Sequence, residues 1–85
     1  MTDRVEEVLV AITEIVRREL EFPRPVQAED ELLRDLGLDS LGLTVLAVGL
    51  EDRFRIRLGL EDSVGVVTAG DLARQIARRL QEAGP

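Results

Sequence analysis

Apolar residues recur at the spacing of one helix face in three separate stretches of the chain, residues 5–20, 43–54 and 72–80. Side chains three and four positions apart lie on the same side of an α-helix, so each stretch predicts an amphipathic helix with one buried face. Alternating patterns long enough to predict a β-strand are missing. The sequence therefore predicts an all-α fold, since helices with apolar faces must bury them against one another.

Capping residues mark where these helices begin. Asp3 is placed to cap a first helix over residues 3–21, and Asp39 is placed to cap a second helix over residues 40–54. Thr68, three residues before an acidic side chain, fits the start of the last helix. Each predicted helix therefore has a side chain that can accept a hydrogen bond from its first free N–H groups.

The connection between the first two helices, residues 22–39, is longer than an ordinary loop in a compact domain. Three leucines, Leu33, Leu36 and Leu38, are expected to anchor it onto the core. Gly37 is expected to adopt the left-handed backbone conformation that ends a helical turn. We therefore expect this loop to be ordered.

Residues 61–66 have room for only one or two helical turns and predict a weak third helix. The whole chain, residues 1–85, is short enough to form one domain only. The predicted architecture is a four-helix bundle with a short third helix and a long loop between helices one and two.

The residue types that are missing exclude several classes of function. The chain contains no cysteine, histidine or lysine. Without thiolate or imidazole ligands we expect no metal site, and a serine nucleophile lacks the histidine or lysine base that it needs. We therefore expect no stand-alone enzyme. Paired carboxylates such as Asp35 and Asp39 leave acid–base catalysis as the alternative for an enzyme.

The net charge and the hydropathy of the chain limit which partners it can bind and where in the cell it is expected. The net charge of −6 opposes binding to phosphate backbones, so no nucleic acid is expected. The longest uncharged stretch, residues 40–50, is about half the length of a bilayer-spanning helix, so no membrane is expected either. The acidic N-terminus lacks the order of a signal peptide, which predicts a cytoplasmic protein. The starting Met1 and the short tail suggest a free-standing chain, and the acidic single core suggests a monomer.

A short motif, Leu36-Gly37-Leu38-Asp39-Ser40-Leu41, places a hydroxyl at the start of the second helix. Unpaired backbone N–H groups and the positive end of the helix dipole favour an anion at that position. Ser40 is therefore a candidate for carrying a phosphate group. The alternative is that Asp39 and Ser40 only cap the helix.

At this motif the sequence resembles the acyl carrier protein family, whose Asp-Ser-Leu motif carries a 4′-phosphopantetheine group on the serine through a phosphodiester. Asp39, Ser40 and Leu41 match that motif, and the resemblance extends over residues 30–36, 50–54 and 68–72. It implies a cofactor-bearing carrier and not an enzyme. It also implies that the cofactor, 4′-phosphopantetheine from coenzyme A, is attached at Ser40.

The resemblance also implies the partners. A phosphopantetheinyl transferase would modify the protein, and an acyltransferase, a ketosynthase or other acyl-processing enzymes would handle the acyl group that it holds as a thioester. The pathway would be fatty-acid or polyketide-type biosynthesis. Part of the acyl chain would be sheltered in the aliphatic interior between helices two and three, with Leu46, Leu50 and Val66 as candidates for the pocket. Ordinary core packing is the alternative for these three side chains.

The second predicted helix has apolar residues on two faces. At 100° per residue, Leu41, Val45 and Val48 lie opposite the predicted core stripe of that helix. Either the 22–39 loop covers them or they form an exposed docking stripe for partner enzymes, together with Glu51 and Asp52. Three arginines near the end of the helix, Arg53, Arg55 and Arg57, depart from the acidic second helix that is usual in the family. We therefore expect docking that depends more on apolar contact and less on charge.

Two further functions stay open on the sequence alone. An aminoacyl or peptidyl carrier protein would use the same serine, although the Leu-Gly-Leu-Asp-Ser-Leu sequence favours an acyl group. An unmodified helical protein-interaction domain would bind through Leu41, Val45 and Val48, and Ser40 would then be dispensable.

Overall fold

The computed structural model describes residues 3–83, apart from the side chains of residues 60 and 83. Within this range the chain forms three α-helices, α1 (Arg4–Leu20), α2 (Ser40–Phe54) and α3 (Ala69–Ala83), and one 3-10 turn at Leu60–Ser63. The all-α prediction is confirmed, and the ends of α1 and α2 lie within one residue of the predicted ends.

The segment predicted as a short third helix forms only the single 3-10 turn. Val64 leaves the helical region, with φ −65° and ψ 124°, and Gly65 follows at φ 78°. A residue in the extended region followed by one in the left-handed region ends a helix after one turn. The described residues therefore contain three α-helices and one 3-10 turn, where the sequence predicted four helices.

Side-chain caps begin the helices as predicted. Oδ1 of Asp3 accepts a hydrogen bond from the Val5 N–H at 3.3 Å. Oγ1 of Thr68 accepts one from the Asp71 N–H at 3.0 Å, and Oδ2 of Asp71 accepts one from the Thr68 N–H at 3.0 Å. This reciprocal pair is the capping box that the sequence predicts before α3.

The core is aliphatic, and α1 packs against both α2 and α3. Six large side chains are almost completely inaccessible to solvent: Val8, Ile12 and Val16 on α1, Leu46 and Leu50 on α2, and Ile76 on α3. Burying aliphatic side chains of this size stabilises the fold by roughly 1.5–3 kcal/mol each. The two phenylalanines are only partly buried against this cluster.

The 22–39 loop is anchored by Leu36 and Leu38 as predicted, but Leu33 is 63% exposed. Leu32 is buried in its place at 6% exposure. Its N–H donates a hydrogen bond to the Val67 carbonyl at 3.0 Å, which ties the backbone at Leu32 to the residues just before α3. Gly37 has the predicted left-handed conformation, with φ 67°.

An ion pair and backbone hydrogen bonds fix the same loop between α1 and α3. Arg24 donates two hydrogen bonds to the carboxylate of Asp30, at 2.8 and 2.9 Å, and lowers the pKa of that carboxyl. The Val26 N–H donates to Oγ1 of Thr13 on α1 at 3.0 Å, and the Ala69 N–H at the start of α3 donates to the Asp30 carbonyl at 2.8 Å. The residues that lead into α2 are therefore held by both other helices.

Among the helices that the structure describes, none has the length and apolar character needed to cross a membrane.

Candidate functional site

Ser40 is the first residue of α2, and its side chain is exposed. The turn before it is fixed to the core, because Leu38 is buried and its N–H donates to the Leu32 carbonyl at 3.1 Å. Gly37 makes the turn possible, since its φ of 67° is rarely adopted by residues with a side chain. Ser40 is therefore exposed to solvent at the end of a turn that is anchored to the core.

Asp39 caps the helix that Ser40 begins. Its Oδ1 accepts a hydrogen bond from the Gly42 N–H at 2.8 Å, and its carbonyl accepts one from the Leu43 N–H at 2.8 Å. Gly42 is buried, and a β-carbon there would lie 3.3 Å from Cδ2 of Leu38. The small residue therefore lets Leu38 and the cap pack against the first turn of the helix.

The first N–H groups of α2 have a favourable electrostatic setting for an anion. The N–H groups of Ser40 and Leu41 precede the first intrahelical hydrogen bond, which is donated by Leu43. The helix dipole places partial positive charge at the same end. A hydroxyl at this position can therefore carry a phosphodiester at low electrostatic cost.

The apolar stripe of Leu41, Val45 and Val48 follows Ser40 along α2. Leu41 is 70% exposed and Val48 is 50% exposed, while Val45 is half-buried. The 22–39 loop therefore does not cover this stripe, and of the two alternatives that the sequence left open the structure supports exposure. Exposed apolar residues grouped on one helix face form a surface suited to contact with another protein.

The two acidic docking candidates differ in their surroundings. Asp52 is exposed. Glu51 is half-buried, and its Oε2 accepts a hydrogen bond from the Leu58 N–H at 2.8 Å. Glu51 therefore fastens the segment after α2 to the helix, in addition to any contact it makes with a partner.

A cavity of about 690 Å³ lies beside α2, and the three predicted pocket residues, Leu46, Leu50 and Val66, are among those around it. Leu46 and Leu50 are 1% and 0% exposed, so both also belong to the core, as in the alternative that the sequence left open. Leu43 and Thr44, within about one turn of Ser40, line it as well. The hydroxyl of Thr44 donates to the Ser40 carbonyl at 2.9 Å. The cavity therefore begins next to the residue that starts the helix.

A buried carboxylate in the cavity wall was missed by the sequence analysis. Asp62 is 6% exposed, and both of its carboxylate oxygens accept hydrogen bonds from Arg79 at 2.7 Å. Gln75 donates to the same carboxylate at 3.0 Å, and the Gly59 N–H does so at 2.8 Å. These donors, Arg79 first, lower the pKa of Asp62 to about 2. Arg79 lies on α3, and no sequence pattern links it to Asp62.

Known proteins are similar to this chain in sequence and in fold. Residues 10–76 match the family described as "Phosphopantetheine attachment site". The chain is 38% identical over 80 residues to the acyl carrier protein MbtL of Mycobacterium sp. (strain MCS), covering 93% of this chain and 90% of that protein. It is 32% identical over 81 residues to the meromycolate extension acyl carrier protein of Mycobacterium tuberculosis, covering 94% of this chain and 70% of that protein.

A solved structure described as an acyl carrier protein (Rv0033) from Mycobacterium tuberculosis is also similar. It has a TM-score of 0.74 and 36% identity, over 88% of this chain and 97% of that one. The matches define a phosphopantetheine-bearing carrier domain. The chain belongs to the acyl carrier protein family. It is therefore a non-catalytic carrier whose prosthetic group is 4′-phosphopantetheine, and proteins of this family work with phosphopantetheinyl transferases and acyl-processing enzymes.

Proposed function

We propose that the protein holds acyl intermediates as thioesters on a 4′-phosphopantetheine group attached to Oγ of Ser40. The observation that carries the proposal is the exposed hydroxyl of Ser40 at the first residue of a capped helix. When bound, the group supplies a flexible arm that ends in a thiol. The chain has no cysteine of its own, so the reactive sulfur would come entirely from this arm.

The residues around Ser40 fit a phosphodiester. The carboxylate of Asp39, which would repel a phosphate, is engaged by the Gly42 N–H at 2.8 Å. The N–H groups of Ser40 and Leu41 and the helix dipole favour the negative charge. Asp39 and Leu41 therefore complete the attachment motif, Asp39 by ordering the helix start and Leu41 by beginning the apolar stripe.

The cavity supports an acyl group as the cargo. Its volume of about 690 Å³ is in the range of sites that bind small molecules, roughly 300–1,000 Å³. Leu46, Leu50 and Val66 give it apolar walls. An aliphatic chain transferred into such a site leaves water, at a gain of roughly 0.8 kcal/mol per buried CH₂ group. We propose these three residues as contacts of the acyl chain.

The proposal also includes the biosynthetic pathway in which the protein works and the enzymes that act on it. Two relatives are named as acyl carrier proteins, one of them for meromycolate extension, and this favours an acyl cargo over an aminoacyl or peptidyl one. We place the protein in fatty-acid or polyketide-type biosynthesis, as a cytoplasmic monomer. A phosphopantetheinyl transferase would load it, and an acyltransferase, a ketosynthase or other acyl-processing enzymes would act on its cargo.

We propose that these enzymes dock on Leu41, Val45 and Val48, with Glu51 and Asp52 beyond the stripe. The exposed side chains of Leu41 and Val48 support apolar contact as the main attraction. The formal charge from residue 41 to residue 58 is +1, from two acids and three arginines, so attraction to a basic partner is weak on this segment.

The test is intact mass before and after incubation with coenzyme A and a broad-specificity phosphopantetheinyl transferase. The wild-type protein should gain one phosphopantetheinyl group, and Ser40→Ala should gain none. Ser63→Ala is the matched control, because Ser63 is the other serine of the chain, and it should be modified like the wild type.

No gain in a folded wild-type protein with several transferases would contradict the proposal. It would favour the unmodified interaction domain that binds through the apolar stripe. Loading of the modified protein by an adenylating enzyme with amino acids, and not with acyl groups, would instead favour an aminoacyl or peptidyl carrier.

A further inference from the structure

The wall of the cavity that faces α2 is formed largely by the segment between α2 and α3. Six of its lining residues belong to that segment, within it or on either side of the 3-10 turn: Leu58, Gly59, Asp62, Ser63, Val66 and Val67. From α3 the described lining includes only Leu72. An acyl chain in the cavity would therefore be covered by a connecting segment and not by a helix.

Two carboxylates fasten this segment to the helices: Glu51 on α2 accepts a hydrogen bond from the Leu58 N–H, and Asp62 within the segment accepts from side chains of α3. Of the side chains that the structure describes between Phe54 and Ala69, Asp62 is the one that is buried. The apolar side chains that also pack here, Ile56, Leu58 and Val66, are only partly buried. Polar contacts therefore help to hold this wall in place, beside the partly buried apolar side chains.

Asp62 and Arg79 form the latch between the wall and α3. Nη1 of Arg79 donates to both carboxylate oxygens of Asp62 at 2.7 Å, and its Nη2 donates to the Arg57 carbonyl at 2.8 Å. Gln75, one turn earlier on α3, donates to Asp62 at 3.0 Å. Arg79 thus contacts the segment at two places, at the Arg57 carbonyl before the 3-10 turn and at Asp62 within it.

We propose that this latch determines whether the acyl chain stays inside the cavity. With the latch closed, the segment between α2 and α3 covers the acyl chain and keeps its thioester from solvent. With the latch broken, the wall moves away from α3 and the chain leaves. The inference rests on the proposed function, since it concerns the cargo attached at Ser40.

The experiment compares proteins loaded from octanoyl-coenzyme A and from acetyl-coenzyme A by a phosphopantetheinyl transferase. Intact mass first shows that each protein carries its acyl group. Hydroxylamine is then added, and the rate at which it cleaves the thioester is followed by mass. An octanoyl chain is long enough to enter the cavity, whereas an acetyl group is the reference that the wall cannot shelter.

We expect Arg79→Ala to lose its octanoyl group roughly tenfold faster than the wild type. Hydrogen bonds to a charged group are worth roughly 1.5 kcal/mol, and that amount shifts a closed–open equilibrium about tenfold. The acetyl rates of the two proteins should agree. Arg79→Lys keeps the charge but loses the planar arrangement of N–H donors. Its octanoyl cleavage rate should therefore lie between the rates of the wild type and of Arg79→Ala.

Arg53→Ala is the matched control. Arg53 also joins two elements through a carboxylate, donating to Glu14 at 3.0 Å, but neither residue lines the cavity. Its octanoyl rate should equal that of the wild type. Thermal unfolding of each loaded protein establishes that the rates are measured on folded protein.

Two results overturn the inference. Equal octanoyl rates for folded wild type and Arg79→Ala would show that the latch does not hold the chain. A similar acceleration in Arg53→Ala, or in the acetyl forms, would assign the effect to general loosening of the fold. If Ser40 accepts no group at all, the mass measurement shows it, and the proposed function fails together with the latch.

Discussion

A β-carbon at Gly49 would lie 2.9 Å from Cδ1 of Ile15 and 3.2 Å from its Cγ1 and Cγ2. Gly49 is in the middle of α2 and Ile15 is buried on α1. The missing side chain at Gly49 therefore sets how closely α2 approaches α1. This approach also holds α2, and with it Ser40, in a fixed position against the core.

We expect Gly49→Ala to destabilise the protein, although alanine favours a helix over glycine by about 1 kcal/mol. Overpacking a dense core costs roughly 1–3 kcal/mol. Ile15→Val removes the nearest atom, and its own cost is about 0.5–1.5 kcal/mol. The double variant should therefore be more stable than the sum of the two single losses predicts. Urea unfolding of the four proteins measures this, and additive losses would contradict the steric explanation.

The cap at the start of α2 gives a second prediction. Asp39→Ala should lower the free energy of unfolding by about 1 kcal/mol, because the Gly42 N–H loses its acceptor. Asp39→Asn should lower the free energy of unfolding much less, since asparagine and aspartate are about equally good caps. Urea unfolding is the measurement. Equal losses in the two variants would show that the charge of Asp39, and not its hydrogen bond, stabilises the helix.

Structural features that depend only on residues close together in the sequence could be predicted. The helix ends follow from short caps such as Asp39 with Gly42, and the exposed serine follows from a six-residue motif. The helical period places Leu41 and Val48 opposite the core stripe of α2, but it left open whether the 22–39 loop covers them. Each of these depends on residues within about one or two turns, where backbone geometry fixes the spacing.

Features that depend on how distant segments meet could not be predicted. Leu32 and Leu33 are adjacent and chemically alike, yet Leu32 is 6% exposed and Leu33 is 63% exposed. Which of them is buried depends on how the loop lies against the segment before α3, where the Leu32 N–H meets the Val67 carbonyl. Asp62 and Arg79 are 17 positions apart, and their contact needs the 3-10 turn and α3 to be in place. Asp62 lines the cavity and is not among the pocket residues predicted from the sequence, because its place in the wall is likewise a product of the packing.

The ion pair of Asp62 predicts a loss of stability in acid. Its pKa is about 2 in the folded protein, below the usual 3.8, because Arg79 stabilises the charged form. The folded state thus binds this proton less readily than the unfolded state. The pair stabilises the protein fully above about pH 4, and this contribution is lost as the pH falls toward about 2.

Asp62→Asn isolates that contribution. The variant should be less stable than the wild type near neutral pH, because the charged acceptor of Arg79 is lost. Its stability should fall less steeply between about pH 4 and about pH 2. Asp71, whose pKa is also about 2 through the N–H groups of Thr68 and Val67, stays in both proteins and cancels in the comparison. Urea unfolding across this range is the measurement, and parallel pH curves would contradict the prediction.

The last prediction concerns the apolar stripe. Val48→Asp should slow modification by a phosphopantetheinyl transferase, with a KM for the carrier raised roughly fivefold or more, as for loss of an apolar contact worth about 1 kcal/mol. Val10→Asp is the matched control, because Val10 on α1 is 54% exposed and Val48 is 50% exposed. Both changes add the same charge to the protein. A difference between them therefore reports the position of the side chain and not the net charge.

The salt dependence of the same reaction separates apolar from electrostatic docking. Exposed charges are screened within about 10 Å at 0.1 M salt, whereas apolar contacts are not weakened by screening. We therefore expect wild-type turnover to change little as salt is added, and Val45→Asp to impair it at every salt concentration. A steep loss of turnover with salt, together with full activity of Val45→Asp, would assign docking to charge. The apolar stripe would then be left without a role in recognition, and the arginines and acids near the end of α2 would be the next residues to exchange.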